Sequence, residues 1–264
     1  MKIVKPGIEI MEQDVSLGLE GALRHIERIG RVCYKSEDRI TEDSYRKFVK
    51  MLEDKGHGAM LEHGTLYLKV SMDEMNSLCM ASIEKYSSFP DGSDWVNITT
   101  NYRAVFESGY IKRLLNYMTV PNEKHERRVS IKFTCDRGVS HEFVRNRGKL
   151  GNAFAQESTR YCDYNKGEGV VYCYPVWLKK DELPNFEFCL KQNESRYIDW
   201  RIKGWSPQQA RGFLAHFLKT ELIITAFMSD WKHFLSLRAA PSAHPSAQEL
   251  AYMVKEEFEK RGYL

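Results

Sequence analysis

Two short stretches carry the residue types that handle small anions. The first is His141-Glu142-Phe143-Val144-Arg145-Asn146-Arg147, and the second is Gln156-Glu157-Ser158-Thr159-Arg160-Tyr161. An arginine guanidinium is a planar fork that meets carboxylate or phosphate oxygens two at a time. Ser158 and Arg160 add a hydroxyl, backbone N–H groups and another fork, a donor set suited to a phosphate. On a helix end Arg145 and Arg147 would stand about 200° apart, so they would grip two groups of one ligand or two ligands that meet there. The competing reading is a solvated helix end with surface ion pairs such as Glu142–Arg145.

A third candidate lies near the C-terminus. On a helix Trp231, Phe234 and Arg238 share one face and form an aromatic platform ending in a cation, suited to a flat anionic heterocycle. The same spacing also describes a core-facing stripe capped by a snorkelling arginine. Glu62 and His63 follow His57 closely but lack a third neighbouring ligand. Structural histidines at a helix-to-strand corner are therefore expected, and no metal. Gly-x-Ser-x-Gly, the Walker loop, His-Glu-x-x-His and the Rossmann glycine pattern are missing. Gly148 and Gly151 flank Lys149-Leu150 and match neither phosphate-binding loop.

Composition narrows the partners. The 264 residues carry 39 Lys+Arg against 36 Asp+Glu, a net charge of +3. The strongest basic cluster is Arg127-Arg128, too little for a protein that works by neutralising phosphate backbones, so no nucleic acid is expected. The longest nearly apolar run, Leu222 to Met228, falls far short of the roughly 20 residues of a membrane helix. The start, Met-Lys-Ile-Val-Lys-Pro-Gly, has no apolar signal core. A soluble, cytoplasmic protein is expected. Cysteines 33, 79, 135, 162, 173 and 189 include no Cys-x-x-Cys pair and are expected to be ordinary reduced thiols.

The elements that must position these groups read as α+β, helices packed around a small central sheet, in one domain over 1–264 with no internal repeat. Lys2 to Met11 reads as a strand, and Leu17, Leu19, Leu23, Ile26 and Ile29 give a helical rhythm up to Cys33-Tyr34. A second helix starts at Thr41 and stops before Gly56. Gly64–Met72 and Arg127–Cys135 alternate as strands. Ser206-Pro207-Gln208-Gln209 is a helix start with a capping-box glutamine, and helical apolar spacing continues from there to Met228. Further helices carry Trp231–Arg238 and run from Pro245 to near Gly262.

Gln156 to Cys162, preceded by His141 to Arg147, resembles the flavin-dependent thymidylate synthases, whose signature is Arg-His-Arg-x7-Ser. Further similarity runs in order along the chain: Cys33 to Ser36, His57 to His63, Asn101 to Ala104, Thr225 to Arg238, and Ala243 to Pro245. The resemblance implies methylation of dUMP to dTMP with bound FAD, NADPH as reductant and methylenetetrahydrofolate as carbon donor. It also implies a homotetramer with sites shared between subunits. Arg145 and Arg147 match the flavin-contacting arginines, Arg145 lying also beside the nucleotide. Asn146 occupies the central signature position. Gln156 matches a position between flavin and nucleotide. Glu157, Ser158, Thr159 and Arg160 match the dUMP loop, and Glu142 also lies beside dUMP. Arg211 matches a nucleotide-binding arginine from another subunit, and Arg238 the arginine that polarises the uracil. His233 and Ala59 fall at flavin-contacting positions.

The chain departs from that pattern in places. Asn146 replaces the central histidine and cannot carry a proton. Ten residues separate Arg147 from Ser158 rather than seven, so Gly148 to Asn152 reads as an inserted, flexible turn. Leu214-Ala215 stands for a Leu-Pro pair, and Phe227 and Ser229 occupy places where relatives have polar flavin contacts. A homologue that binds nucleotide or flavin without methyl transfer is therefore the alternative.

Overall fold

The computed structural model describes residues 1–78, 81–89, 94–167 and 169–264. Strands β1 (Lys2–Val4) and β2 (Gly7–Met11) open the chain, then helices α1 (Leu19–Val32), α2 (Ser44–Asp54) and α3 (Gly58–Leu61). Next come β3 (Thr65–Ser71), α4 (Met72–Ser77), α5 (Ala81–Glu84), β4 (Trp95–Asn101), α6 (Tyr102–Glu107) and α7 (Ile111–Leu114). The remainder is β5 (Arg128–Asp136), α8 (Arg137–Phe143), β6 (Ala153–Gln156), β7 (Val171–Cys173), α9 (Leu183–Ile202), α10 (Pro207–Ala210), β8 (Lys219–Phe227), α11 (Met228–Arg238) and α12 (Pro245–Lys260). The mixture of helix and sheet is as expected.

The central sheet has the order β2-β5-β8-β6, with every neighbouring pair antiparallel. Val129, Ile131 and Phe133 point to one face with Leu222, Ile224 and Ala226, where they meet Trp231, Phe234 and the apolar side of α12. Ile223 points to the other face, against Ile29 of α1 and Met11. Burial on both faces explains an overturned expectation. The segment leading to Met228 ends not in a helix but in the strand β8, whose unbroken apolar run has no face to leave polar. The Ser206 start holds, with Gln209 Oε1 accepting from the Ser206 N–H at 2.8 Å, but its helix lasts one turn.

Other expectations shift less. Pro6, which has no N–H to donate, separates β1 from β2, and the two join different sheets. β1 pairs in parallel with β7. The helix after Thr41 runs over Ser44–Asp54. It packs close to α1 because Gly30 has no side chain, since a Cβ there would sit 2.7 Å from the Phe48 ring.

One local plan appears twice, a repeat the sequence does not display. In β3–β4, Thr65 lies opposite Asn101, and in β5–β8, Arg128 lies opposite Phe227. A helix starts on the residue after each of these four strands. The first N–H of α6 reaches Gly64 O at 2.8 Å, and that of α11 reaches Arg127 O at 3.0 Å. The first N–H of α4 reaches Asp94 O and that of α8 reaches Leu218 O, both at 3.0 Å.

Among the described residues no helix is long and apolar enough to cross a membrane. Cys33, Cys135, Cys162 and Cys173 are buried free thiols and Cys189 an exposed one, while Cys79 lies outside the described residues.

Candidate active site

The first chemistry-bearing stretch takes in the end of α8, and the second starts on the last residue of β6. Asp136 caps α8, its Oδ1 accepting from the Val139 N–H at 2.8 Å. The helix ends at Phe143, so Arg145 lies in the following turn and Arg147 beyond it. Both are exposed, and among the described residues neither has a hydrogen-bond or ion-pair partner. Asn146 is 4% exposed, and its side-chain Oδ1 is enclosed without a partner among the described residues.

Glu142 pairs with Arg238 rather than Arg145: Arg238 Nη1 donates to Glu142 Oε2 at 2.8 Å, and its Nη2 donates to the Glu142 carbonyl. Trp231 and Phe234 do not form an open platform. They are 1% exposed, packed against Phe133, and Trp231 Nε1 donates to Val129 O at 3.1 Å. The stripe faces the core and the arginine caps it. His233 and Ala59 are exposed.

The turn after Arg147 is held rather than loose. Asp230, buried at the start of α11, accepts the Lys149 N–H at 2.7 Å and the Leu150 N–H at 3.3 Å. Burial raises its carboxyl above the usual range, against the opposing pull of those two N–H groups.

Glu157 is the electrostatic centre of the second stretch. It is 1% exposed. Lys35 Nζ lies 3.2 Å from it, Lys219 Nζ 3.4 Å, and the Tyr164 hydroxyl donates to it at 2.7 Å. Lys35 reaches it from a left-handed backbone conformation, φ 47°, a strain retained beside the site. Burial pulls the Lys219 ammonium down, but Glu157 and Glu221 outweigh it and the net shift is upward. Burial and Glu157 raise the Tyr164 hydroxyl. Gln156 Nε2 donates to Ser140 Oγ at 2.8 Å and Thr220 Oγ1 at 3.3 Å. The Ser158 N–H bonds Cys33 O at 3.0 Å, leaving its hydroxyl to accept from the Arg160 N–H at 3.3 Å. Arg160 itself is exposed, over the Tyr161 ring.

Arg211 Nη1 donates to Thr159 Oγ1 at 3.0 Å within the same chain. These two line an open cleft of about 390 Å³ together with Arg137, His141 and His216. Burial holds the His141 imidazole below its usual range, and so do the charges of Arg137, His216 and Arg145. The cleft therefore has a positive field and exposed donors, the property an oxyanion requires. Arg137, His216, Lys35 and Lys219 were missed in the sequence. Only Lys35 carried a signal, as part of the Cys33–Ser36 segment.

The metal candidates have other partners. His63 Nδ1 is 2.7 Å from Thr225 Oγ1, and Glu62 accepts from Arg103 Nη1 at 2.7 Å. Among the described residues no three potential ligands gather.

Fold and site thus define an α+β protein with an arginine-lined cleft beside a sheet. The thymidylate synthase complementing protein family matches residues 84–261, and the chain belongs to that family. A flavin-dependent thymidylate synthase of Thermococcus kodakarensis is 29% identical over 133 residues, 49% of this chain and 53% of that protein. One of Pyrococcus furiosus is 26% identical over 170 residues, 62% of this chain and 68% of that protein. The chain thus spans about half the length of the Thermococcus relative that it matches. A UMP/dUMP methylase PolB of Streptomyces cacaoi, solved with 5-Br UMP, aligns with 98% of this chain and 92% of its own at 13% identity and a TM-score of 0.48.

Proposed function

We propose that this protein methylates dUMP to dTMP, taking the carbon from methylenetetrahydrofolate and the reducing equivalents from NADPH through bound FAD. The observation that carries this reading is the positive cleft in which Thr159 and Arg211 meet Arg137 and His141, at the end of the loop whose residues match the dUMP loop. The uridylate phosphate would be held there by Arg211, and Arg160, exposed on the loop beside Thr159 but outside the cleft's lining, would supply a second guanidinium.

The residues present fit a flavin. Arg145 and Arg147 offer guanidinium groups that no carboxylate among the described residues neutralises, and the Asn146 Oδ1 between them, without a partner there, is a ready acceptor. FAD would supply reducing equivalents for the transferred carbon, and a cation beside its pyrimidine favours the reduced, anionic ring. Gln156, fixed by Ser140 and Thr220, would orient the nucleotide base, and Ala59 and His233 would border the flavin. Arg238, fixed by Glu142, would direct a remaining N–H at the uracil and favour ionisation at N3. The exposed faces of Arg145, Arg147, Arg160 and Arg211 suit completion of the site by other subunits, in a homotetramer.

The test is to titrate the purified protein with dUMP while following its flavin absorbance, and then to assay dTMP formation with NADPH and methylenetetrahydrofolate. A yellow protein that forms dTMP is expected. NADPH oxidation without dTMP would instead favour the second reading, a homologue that binds without methyl transfer, which the buried asparagine at 146 supports.

A further inference from the structure

A second cavity lies away from the cleft and shares no lining residue with it. Its volume is about 600 Å³, within the range of small-molecule sites. It opens where the two strand pairs meet: Thr65 and Tyr67 of β3 form one side, and Arg128 and Ser130 of β5 another. His25 of α1 and His125 complete the interior.

Arg128 is the unusual group. It is 8% exposed, and among the described residues no carboxylate oxygen lies within ion-pair distance of it. Its guanidinium donates to Thr65 Oγ1 and to the Glu62 carbonyl, both at 3.2 Å, and rests over the Phe227 ring. A guanidinium has five N–H donors, and the Nε of Arg128 is enclosed without an acceptor among the described residues. Glu62 and Asp230 act on it only from a distance, and burial holds it below its usual value, at about 10. A buried cation without a counter-ion is costly and is normally paired.

Hydroxyl and imidazole groups that can donate stand beside it. His25 Nε2 lies 2.8 Å from Ser130 Oγ, which lies 2.6 Å from Thr225 Oγ1, while His25 Nδ1 has no partner among the described residues. Of the acidic residues on the wall, Glu12 is already paired with Arg261, and Glu123 is exposed. Arg127 adds a second cation, stacked on Tyr263.

We propose that this cavity is a second ligand site, in which Arg128 pairs with the oxyanion, phosphate or carboxylate, of a small metabolite. Tyr67 and His125, set edge to face, offer the body of that ligand a partly apolar wall. The site is independent of the dUMP cleft, and its test does not read dTMP formation.

The experiment uses the full chain saturated with dUMP and two probes, inorganic phosphate and benzoate. Hydrogen exchange is followed by peptide, and binding by calorimetry. Protection of residues 10–15 and 121–130 by at least one probe is expected, with one molecule bound per chain. Protection by phosphate alone identifies a phosphorylated ligand, and by benzoate alone a carboxylate. An Arg128→Met variant should lose at least tenfold in affinity for the binding probe. Protection confined to residues 156–160 and 211–216, or none with either probe, overturns the proposal. The wild-type exchange pattern decides the matter if the variant does not fold.

Discussion

Arg238 and Glu142, 96 residues apart in sequence, are joined by two hydrogen bonds, one of them 2.8 Å from Arg238 Nη1 to Glu142 Oε2. The last turn of α11 is thereby fastened to the last turn of α8, and the arginine is aimed rather than free. Two of its five N–H groups are taken by Glu142, so under the proposed function its action depends on that residue. Glu142→Gln retains an acceptor and should reduce dTMP formation modestly. Glu142→Ala should reduce kcat by about 10²-fold if Arg238 acts on the transition state. Arg238→Ala should abolish turnover while the flavin absorbance persists. Full dTMP formation in the Arg238→Ala variant would remove it from the mechanism.

Arg160 lies over the ring of its neighbour Tyr161, whereas Arg211 donates to Thr159 of the same loop. Arg160→Ala should weaken dUMP by about 2–4 kcal/mol through loss of a charge-assisted phosphate contact. Arg211→Ala should do likewise, whereas Thr159→Val should cost less because the guanidinium remains. Equilibrium binding of dUMP to each variant checks the order. Equal affinities across all three would place the phosphate elsewhere.

The turn at 148–150 is a departure from the family signature that the fold has absorbed. Removing Gly148 to Leu150 would take away both N–H groups that Asp230 accepts and leave its carboxylate buried without them. Such a deletion should cost about 1–3 kcal/mol of stability. Asp230→Asn should cost less, and the combined variant less than the sum of the two, because both changes remove the same contacts. Gly148→Ala tests the same point by crowding, since a Cβ there would lie 2.5 Å from Asp230 Oδ2. Urea midpoints of the four variants give the answer, and strict additivity would show that the turn is held by something else.

Much of this was readable in the sequence where apolar residues fill one face of an element and polar ones the other. β3 and β5 alternate in this way, although Thr65, Arg128 and Ser130 on their polar faces are also buried, and both were legible. β8 was not, because it is apolar on both faces and alternation is erased. α9 was passed over because only Leu190 and Tyr197 on it are buried, leaving no apolar stripe. Arg145, Arg147 and Arg160 were legible as residue types and Arg211 through the resemblance, whereas Arg137 of the cleft was not. Their partners were not: Lys35 and Lys219 reach Glu157 from segments more than 60 residues away on either side. Asp230 likewise meets a turn 81 residues before it. Spacing rules describe neighbours on one element, and these contacts are made by the closure of the sheet.

Two buried histidines give the fold a definite response to acid. His25 and His63 are both held near 3 by burial, with nearby charge (Arg128 for both) as a further cause, so both are neutral in the native state. In the unfolded chain each takes up a proton around its ordinary value near 6.5. Between those values the unfolded state binds protons that the native state refuses, so stability rises with pH. It should be flat above about pH 7, fall as pH drops through 6.5, and have lost about 1–2 kcal/mol per histidine by pH 5. Burial pulls His125 in the same direction, so the comparison must be made against variants. His25→Gln and His63→Gln keep a polar group beside Ser130 and Thr225 while removing the titration, and each should flatten the pH dependence by one proton. Urea midpoints at pH 7.5, 6 and 5 measure the slope. A wild-type midpoint unchanged across that range would mean that these imidazoles take up protons in the folded protein.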